Sequence, residues 1–404
     1  METSQPFTGG KRSEAGALWS ALEGLGVINT ESLEPLSEAL LFGVGGGIGL
    51  GYFVYESGDF TSLYLATRLV TAETPQTGFL HTICARLGVG VRQQSASSAI
   101  LAEKKLQAAL AAGSPVLAYV DPRRLPYQGP PAAYHAVLVF AFDSAAGTYQ
   151  VIDRYSVPLT LTAEELSAAR TGEGAPKFRA LEVIGRSPVA LEDLQEAARL
   201  GLAAGLEQQR EGFGPANFRS NFGLRSLEKW AGLVTDPKDR RGWPKFFPPG
   251  LRLFDALLSA YQQIEQRGGP AALRTLYAAF IEEAGGLLGN PGLVQTASLA
   301  RAAAKAWSEL SAALLPQSVP LLAEARQLEE RRLALFYERG RAAKQEIAQA
   351  QTSLEAVRAT AAQAFPLTAG ETGEFLAELR RRILEVAQAE LDSVQAVDAA
   401  LSAG

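Results

Sequence analysis

The stretch AYHAVLVFAFDSAAGTYQVIDRYS, residues 133–156, predicts two antiparallel strands joined by a short turn. HAVLVFAFD and TYQVIDR are rich in the β-branched and aromatic residues that strands favour, and DSAAG between them is typical of a turn. Residues on the two sides of such a turn return to each other, although a bulge could shift the register. We therefore expect Asp153 to lie within a few residues of His135 across the pair.

This pairing has two interpretations. A carboxylate beside an imidazole selects its tautomer and stabilises the imidazolium, which prepares a general base. Alternatively, His135 closes the edge of its strand, and Asp153 bonds Arg154 or an amide of the turn. The residues alone leave both interpretations open.

The segments around the hairpin indicate a mixed α/β domain over residues 1–187. SEAGALWSALEGLGV, residues 13–27, predicts a helix that begins at Ser13 and ends at glycine. ILAEKKLQAALAAG predicts a second helix, and PVLAYV after it predicts a buried strand. LTAEELSAAR, residues 161–170, carries the Thr-x-x-Glu capping box of a further helix.

From residue 188 onward strand patterns almost vanish, and Ala, Leu, Glu, Arg and Gln recur at helical spacing. We predict an all-helical domain over residues 188–404, with a proline-rich charged loop at 236–250. The last two helices are long and rich in alanine. They could form an antiparallel hairpin that packs either within the domain or on a second subunit, which leaves a homodimer open.

The composition of the 404 residues excludes several classes of protein. The formal net charge is -5 without a long basic run, so neither nucleic acid nor an anionic membrane is favoured as a partner. A single cysteine, Cys84, permits no intrachain disulfide and fits a reducing compartment. One cysteine and two histidines argue against a zinc site, which usually needs three or four ligands. We expect no metal and no cofactor.

The sequence also argues against membrane insertion or export. METSQPFTGGKRSEAG at the start lacks the apolar centre of a signal peptide. The longest uncharged stretch, ALLFGVGGGIGLGYFVY, is shorter than the ~20 residues that span a bilayer, and it is rich in glycine. We therefore expect a cytoplasmic protein.

The glycines of FGVGGGIGLGY, residues 42–52, recur at every second position, which predicts a strand with one bare face. The pattern does not fit a dinucleotide-binding fingerprint. Either the bare face lets chain pack tightly against chain, or Gly45, Gly46 and Gly47 line a cleft and offer N–H donors to an oxyanion.

Ser13 stands where the first helix begins. Serine is a preferred N-cap, and the residues alone favour that role. A helix N-terminus is also where a nucleophile gains from the helix dipole and free amides. Cys84, one helical turn from His81, is an alternative nucleophile, although a cysteine in such a segment more often fills the core. Glu282 and Glu283 lack the Glu-x-x-His partner motif of a metal site.

Several segments resemble a known family. SEAGALWSALEGLG, LSEALLFGVGGGIGLGYFVYE and AYHAVLVFAFD with YQVIDR resemble the N-terminal domain of the butirosin biosynthesis protein H family. NFRSNFGLRSLEKWAGLV, LRTLYAAFIEEAGGLLGNPGL and AAAKAWSEL resemble the helical domain of unknown function that commonly follows it. The resemblance implies a papain-like α/β fold, in which a nucleophile at a helix start faces a histidine on a strand and an Asp or Asn on the next strand.

The resemblance also implies a site. His135 would be the base, Asp153 would orient it, and the family's His-Cys start falls on Arg12 and Ser13. The implied activity is acyl transfer in specialised metabolism, from a thioester on an acyl carrier protein to an amine or hydroxyl of a small-molecule acceptor. Tyr127 and Tyr134, just before the hairpin, are candidate binding residues together with the three glycines.

Serine in place of the family's cysteine leaves three possibilities. The site is a working Ser-His-Asp enzyme, a decayed site in a non-catalytic binding or scaffold protein, or a site whose cysteine was replaced by engineering. A hydroxyl stays protonated at neutral pH and must lose its proton as it attacks, whereas a thiolate can be preformed. A peptidase or amidase is a third function, weaker because the resemblance points to transfer.

Overall fold

The computed structural model describes residues 10, 13–57, 60–67, 78–127, 135–154, 157–172, 177–185, 188–211, 216–267 and 270–403. The strands are β1 (Gly51–Ser57), β2 (Phe60–Ala66), β3 (Val91–Gln94), β4 (Val116–Val120), β5 (His135–Asp143), β6 (Thr148–Ile152), β7 (Leu159–Thr162) and β8 (Ala180–Val183). The α-helices are α1 (Glu14–Gly24), α2 (Glu38–Val44), α3 (Phe79–Arg86), α4 (Ala99–Ala111), α5 (Ala163–Ala169), α6 (Leu191–Arg210), α7 (Leu224–Thr235), α8 (Trp243–Phe246), α9 (Leu251–Gln262), α10 (Arg274–Leu287), α11 (Pro291–Leu314), α12 (Pro320–Arg339), α13 (Lys344–Gln363) and α14 (Ala369–Ser402). A mixed α/β region followed by an all-helical region is confirmed.

The chain forms two compact units whose segments alternate along the sequence. Unit 1 contains Met1–Gly45, Thr71–Ala197 and Arg332–Gln349. Unit 2 contains Gly46–Val70, Ala198–Arg331 and Ala350–Gly404. The predicted boundary between residues 187 and 188 stays a prediction, since compact units and homologous domains are defined on different grounds.

Unit 1 is built on a six-stranded antiparallel sheet in the order β3-β8-β4-β5-β6-β7. Every residue of β4 is buried, as its continuous apolar run predicts. The predicted capping box is present at α5, where Thr162 and Glu165 exchange bonds with each other's backbone amides. Helix α1 packs against β5 at the middle of this sheet.

Hydrogen bonds to Asp143 and the backbone conformation of Gly147 stabilise the turn of the β5–β6 hairpin. Asp143 Oδ1 accepts from the amides of Ala145 and Ala146, and Gly147 takes a φ of 65°. The register shifts between Val139 and Ala141, and beyond this bulge Leu138 pairs with Ile152. The next residue, Asp153, therefore follows β6 on the side of the sheet that His135 also faces, because side chains alternate along each strand.

The glycine-rich stretch is not the strand that its spacing predicts. Ser37 Oγ accepts from the amide of Leu40, and the helix begun there runs to Val44. Residues 45–50 form a turn and an irregular segment outside the sheets, and β1 begins only at Gly51. Six consecutive residues of α2, from Ala39 to Val44, are buried, so packing in the folded unit and not a one-sided pattern determines the structure here.

Unit 2 contains the two-stranded sheet of β1 and β2 and most of the helices. Buried Gln263 bonds the edge of β2: its Oε1 accepts from the amide of Leu65, and its Nε2 donates to the carbonyl of Leu63. A side-chain amide thus satisfies backbone groups that a sheet edge leaves unpaired. Helix α14 packs against α7 and α11. Whether the chain also pairs with a second copy stays a prediction.

A buried ionic cluster lies in the core of unit 2. The Arg274 guanidinium donates to Glu390 and to the carbonyls of Gly49 and Thr67, and the indole of Trp307 also donates to Glu390. Both charged side chains are almost fully buried. Across the described ranges of the chain, no helix is both long and apolar enough to cross a membrane.

Candidate active site

The structure brings His135 and Asp153 into direct contact at the open end of the β5–β6 hairpin. His135 Nε2 lies 2.9 Å from Asp153 Oδ2. The two residues are only 5% and 4% exposed, so their interaction is shielded from water. A buried imidazole held by a buried carboxylate is the arrangement that prepares a general base.

Further donors hold the Asp153 carboxylate. Its Oδ1 accepts from the amide of Arg154 at 2.6 Å, and its Oδ2 also accepts from the hydroxyl of Tyr127 at 3.3 Å. Burial alone would raise the pKa of Asp153, but the charge and hydrogen bond of His135 and the contacts of Arg154 outweigh burial and lower it. Asp153 is therefore a carboxylate at neutral pH.

The ionisation of Asp153 fixes the tautomer of His135. A carboxylate only accepts hydrogen bonds, so Nε2 of His135 carries the hydrogen that lies between the two groups. In the neutral ring, Nδ1 is then the basic nitrogen. The hairpin thus determines which nitrogen can take a proton from a substrate or a nucleophile.

Buried Tyr127 contacts Asp153 through its hydroxyl. Burial, followed by the charge of Asp153 and the bond to it, raises the pKa of Tyr127 well above its usual value, so its phenol stays protonated and donates. Its ring stacks on Phe336 with 6.1 Å between centroids, and the Arg154 guanidinium lies 5.6 Å from the centroid of the same Phe336 ring. Phe336 escaped the sequence reasoning, because an aromatic residue in a long helix carries no signal for a site on a distant sheet.

The Ser13 hydroxyl forms a hydrogen bond with the sheet and not with its own helix. It occupies the N-cap position of α1, but its φ of -63° and ψ of -67° are helical, and its side chain makes no cap bond. An N-cap serine needs an extended backbone for its oxygen to reach the first-turn amides. Ser13 Oγ instead accepts from the amide of Ala136 at 2.8 Å. The capping role favoured by the residues alone is therefore wrong.

These contacts connect three groups of unit 1 through the start of β5. The Ser13 hydroxyl is bound to the strand residue that directly follows His135, and the His135 ring is bound to Asp153. The Ala136 amide and the positive end of α1 both stabilise negative charge on Ser13 Oγ. Chemically, the Ala136 amide and the helix end can lower the cost of deprotonating the Ser13 hydroxyl, and the imidazole held by Asp153 can accept a proton.

The other candidate residues have mixed outcomes. A side chain at Gly45 would collide with the Phe79 ring, and one at Gly46, whose φ is 72°, would meet Ala204. Those two contacts favour close packing, and Gly47 is buried as well. A role of these glycines in a cleft stays a prediction. Tyr134 and Arg12 lie outside the described residues.

Neither the alternative nucleophile nor the metal ligands gain support. Cys84 is fully buried, and burial raises the pKa of its thiol to about 12, which removes the thiolate that nucleophilic attack requires. Glu282 forms an ion pair with Arg301. Among the residues that the structure describes, no group of three or more His, Cys, Asp or Glu side chains could hold a metal ion.

Comparison with known families agrees with the resemblance seen in the sequence. Residues 20–154 match the family described as butirosin biosynthesis protein H, N-terminal. Residues 164–334 match a domain of unknown function, DUF4872. No curated protein is significantly similar to the chain. The first match contains Tyr127, His135 and Asp153, whereas Ser13 precedes it.

Proposed function

We propose that this chain is an acyltransferase of specialised metabolism. Its residues 20–154 match the butirosin biosynthesis protein H N-terminal family, and its residues 164–334 match a family of unknown function. The observation that carries the proposal is the contact of Ser13 Oγ with the amide next to His135, whose ring is held by Asp153. The donor would be an acyl thioester, on a carrier protein or a smaller thiol. The acceptor would be an amine or hydroxyl of a small molecule.

The proposed reaction has two balanced steps. In the first, Ser13 Oγ attacks the acyl carbon, its proton passes to His135 Nδ1, and the carbon–sulfur bond breaks as the thiolate leaves with that proton. In the second, the acceptor attacks the acyl-serine and His135 takes the acceptor's proton; the bond between the acyl carbon and Ser13 Oγ then breaks, and His135 gives that proton to Oγ to restore the hydroxyl. Asp153 keeps the ring in the tautomer that both steps need and stabilises the imidazolium that forms within each step.

The active-site test is turnover of small acyl thioesters by the full chain, followed by thiol release, with an amine acceptor present. We expect His135→Ala to lower turnover by about 10²–10⁴-fold, the range that general acid–base catalysis contributes. His81→Ala, which removes the other histidine, is the matched control and should leave turnover unchanged. Activity that survives His135→Ala would remove this assignment.

The nucleophile needs a separate test. Mass spectrometry of the protein after reaction with an acyl thioester should find the acyl group on Ser13, and Ser13→Ala should abolish it. Ser98→Ala is the matched control, because Ser98 is an N-cap serine whose oxygen does bond its own helix. An acyl group on Ser98, or one that persists in Ser13→Ala, would contradict the mechanism.

The rival function is a binding or scaffold protein that keeps the fold without covalent chemistry. The observation that favours it is serine at the position where the resembling family has cysteine. Ser13→Cys separates the two functions, since the proposed base His135 can deprotonate a thiol at this position to the reactive thiolate. Acylation that appears only in Ser13→Cys would support the rival, and acylation of the unaltered chain would support the serine enzyme. Hydrolysis without an acceptor, at the same rate as transfer, would favour an amidase or peptidase.

A further inference from the structure

A cavity of about 410 Å³ lies in unit 2, at the β1–β2 hairpin and the N-terminal half of the helical region. Its lining comes from β1 and β2, from helix α7, and from Phe218, Asn221 and Arg241 on either side of α7. The volume falls within the range of small-molecule sites, ~300–1,000 Å³. Although the hairpin lies inside the first family match and α7 lies inside the second, both belong to the same compact unit.

Aromatic rings form the walls of this cavity. Phe53 lies 6.3 Å from Tyr64 and 6.5 Å from Phe218, measured between ring centroids. Tyr55 shares a face of the hairpin with Phe53 and Tyr64, because Phe53 pairs with Tyr64 and side chains alternate. Tyr55, Tyr64 and Phe218 are each between 41% and 46% exposed. Clustered, exposed aromatic rings of this kind are suited to a flat or apolar ligand.

Lys229 is held at the cavity by side chains. Its Nζ donates to Asn221 Oδ1 at 2.9 Å and to Ser220 Oγ at 3.3 Å. Buried Asn221 is itself fixed, since its Nδ2 donates to the carbonyl of Tyr52 on β1 at 2.6 Å. An ammonium has three donors, and these two neutral acceptors use two of them without neutralising the charge.

Arg241 brings a second positive charge to the cavity. Burial, and then the charge of Arg241, lower the pKa of Lys229, while the charge of Asp239 offsets part of this effect. Asp239 accepts from the backbone amide of Arg241. Within the described residues, neither the Lys229 ammonium nor the Arg241 guanidinium forms an ion pair. Two basic groups that repel each other beside an aromatic cavity are complementary to an anion.

We propose that this cavity binds a small organic anion, with a carboxylate or phosphate at Lys229 and Arg241 and a flat aromatic or apolar body against Phe53, Tyr55, Tyr64 and Phe218. A head group of this charge satisfies the third donor of Lys229 and relieves the repulsion between the two basic side chains. The aromatic walls then bury the body of the same molecule. The proposal does not depend on acyl transfer, because none of its residues belongs to the Ser13 site.

The test is titration calorimetry of the full chain with three probes that share one ring system: naphthyl phosphate, naphthoate and neutral naphthol. We expect at least one of the two anions to bind at least ~10-fold more tightly than naphthol, the ratio that one charge-assisted contact supplies. The stronger of the two anions identifies the head group. If neither anion binds, or if naphthol binds as tightly as both, the proposal is wrong.

Two variants assign the binding to this cavity. Arg241→Gln should weaken binding of the preferred anion by about tenfold and leave naphthol unchanged, since only the charge is removed. Arg240→Gln is the matched control, because Arg240 is an exposed neighbour that does not line the cavity. Tyr55→Ala should weaken the binding of every probe that binds to the unaltered chain. Equal losses in Arg241→Gln and Arg240→Gln would mean a general surface charge effect and would overturn the assignment.

Discussion

Replacing Asp153 by asparagine tests the hairpin network most directly, because the change keeps the shape of the side chain and removes its charge. Oδ2 accepts from His135 and Tyr127, and Oδ1 accepts from the amide of Arg154. An asparagine has one oxygen, so its NH₂ group must face a donor in either orientation. At least one buried donor would lose its acceptor.

The size of the effect follows from these bonds. A buried group left without its partner costs about 1–3 kcal/mol, and bonds to a charged group are about twice as strong as neutral ones. We therefore expect Asp153→Asn to lower the free energy of unfolding by about 2–4 kcal/mol. With a urea slope of roughly 2 kcal/mol per molar, the midpoint should fall by about 1–2 M.

Asp153→Asn should also change the tautomer of His135. If the new side-chain amide turns its NH₂ towards the imidazole, it donates to Nε2, and the hydrogen of the neutral ring moves to Nδ1. That tautomer has no basic Nδ1 for the proposed proton transfer. ¹⁵N NMR of histidine-labelled protein can measure this, because the chain has two histidines and His81 serves as the internal reference. We expect the Nε2–H form of His135 in the unaltered chain.

The difference in stability should depend on pH with a definite sign. The pKa of Asp153 is lowered in the folded state, so its carboxylate contributes stability at pH values above its unfolded pKa of 3.8. That contribution is lost as the pH falls below 3.8 and through the folded value. The gap between the unaltered chain and Asp153→Asn should therefore be full at pH 7 and shrink below pH 3.8.

Asp143→Asn is the matched control for these measurements, since Asp143 is an exposed carboxylate at the turn of the same hairpin. Its loss should be no more than about 1 kcal/mol, as for a single local bond to an exposed turn. Two results would refute the reasoning. One is a midpoint unchanged in Asp153→Asn; the other is an unaltered chain in which Nε2 of neutral His135 carries no hydrogen.

Three further predictions concern other parts of the chain. Glu390→Gln should lower the stability of unit 2 by about 3–5 kcal/mol, because it leaves the buried Arg274 cation without its charge partner; a urea midpoint close to that of the unaltered chain would contradict this. Thr162→Ala should cost about 1 kcal/mol through loss of the capping box on α5, and Thr162→Ser should restore most of it in the same assay. The thiol of Cys84, with its pKa raised to about 12, should react with a disulfide reagent at pH 8 only as the chain unfolds; rapid reaction of the folded chain would show an accessible thiolate.

The hairpin pair could be predicted because everything that positions it is local. The turn residues, the alternation along both strands and the 18-residue separation of His135 and Asp153 all lie in one continuous stretch. Only the bulge between Val139 and Ala141 was beyond prediction, because a bulge depends on how the two strands meet. Without the bulge, the register that begins at the turn would set Asp153 opposite Leu138, on the face away from His135. The one-residue shift brings Asp153 to the face of the sheet that His135 also occupies.

Other features could not be predicted, since they depend on contacts between distant segments. The spacing of glycines in residues 42–52 favoured a strand, but the apolar residues before Gly45 pack as a helix, and Phe79 needs the space that a side chain at Gly45 would fill. Tertiary packing overrides a local alternation of this kind. Likewise, nothing near Phe336 in the sequence indicates that its ring stacks on Tyr127, more than two hundred residues earlier.

The direction of the Ser13 hydroxyl could not be predicted from the sequence. A serine before a helix is ordinarily a cap, and only the backbone angles at Ser13 reveal that its oxygen is directed elsewhere. The amide that it meets belongs to Ala136, 123 residues away and adjacent to His135. A helix that gives up its side-chain cap loses about 1 kcal/mol, and the bond to β5 offsets that loss only if α1 stays packed on the strand. Stability therefore depends on the same contact that ties the Ser13 hydroxyl to the strand residue next to His135, so Ser13→Ala should weaken the packing of α1 on β5 as well as any acyl transfer.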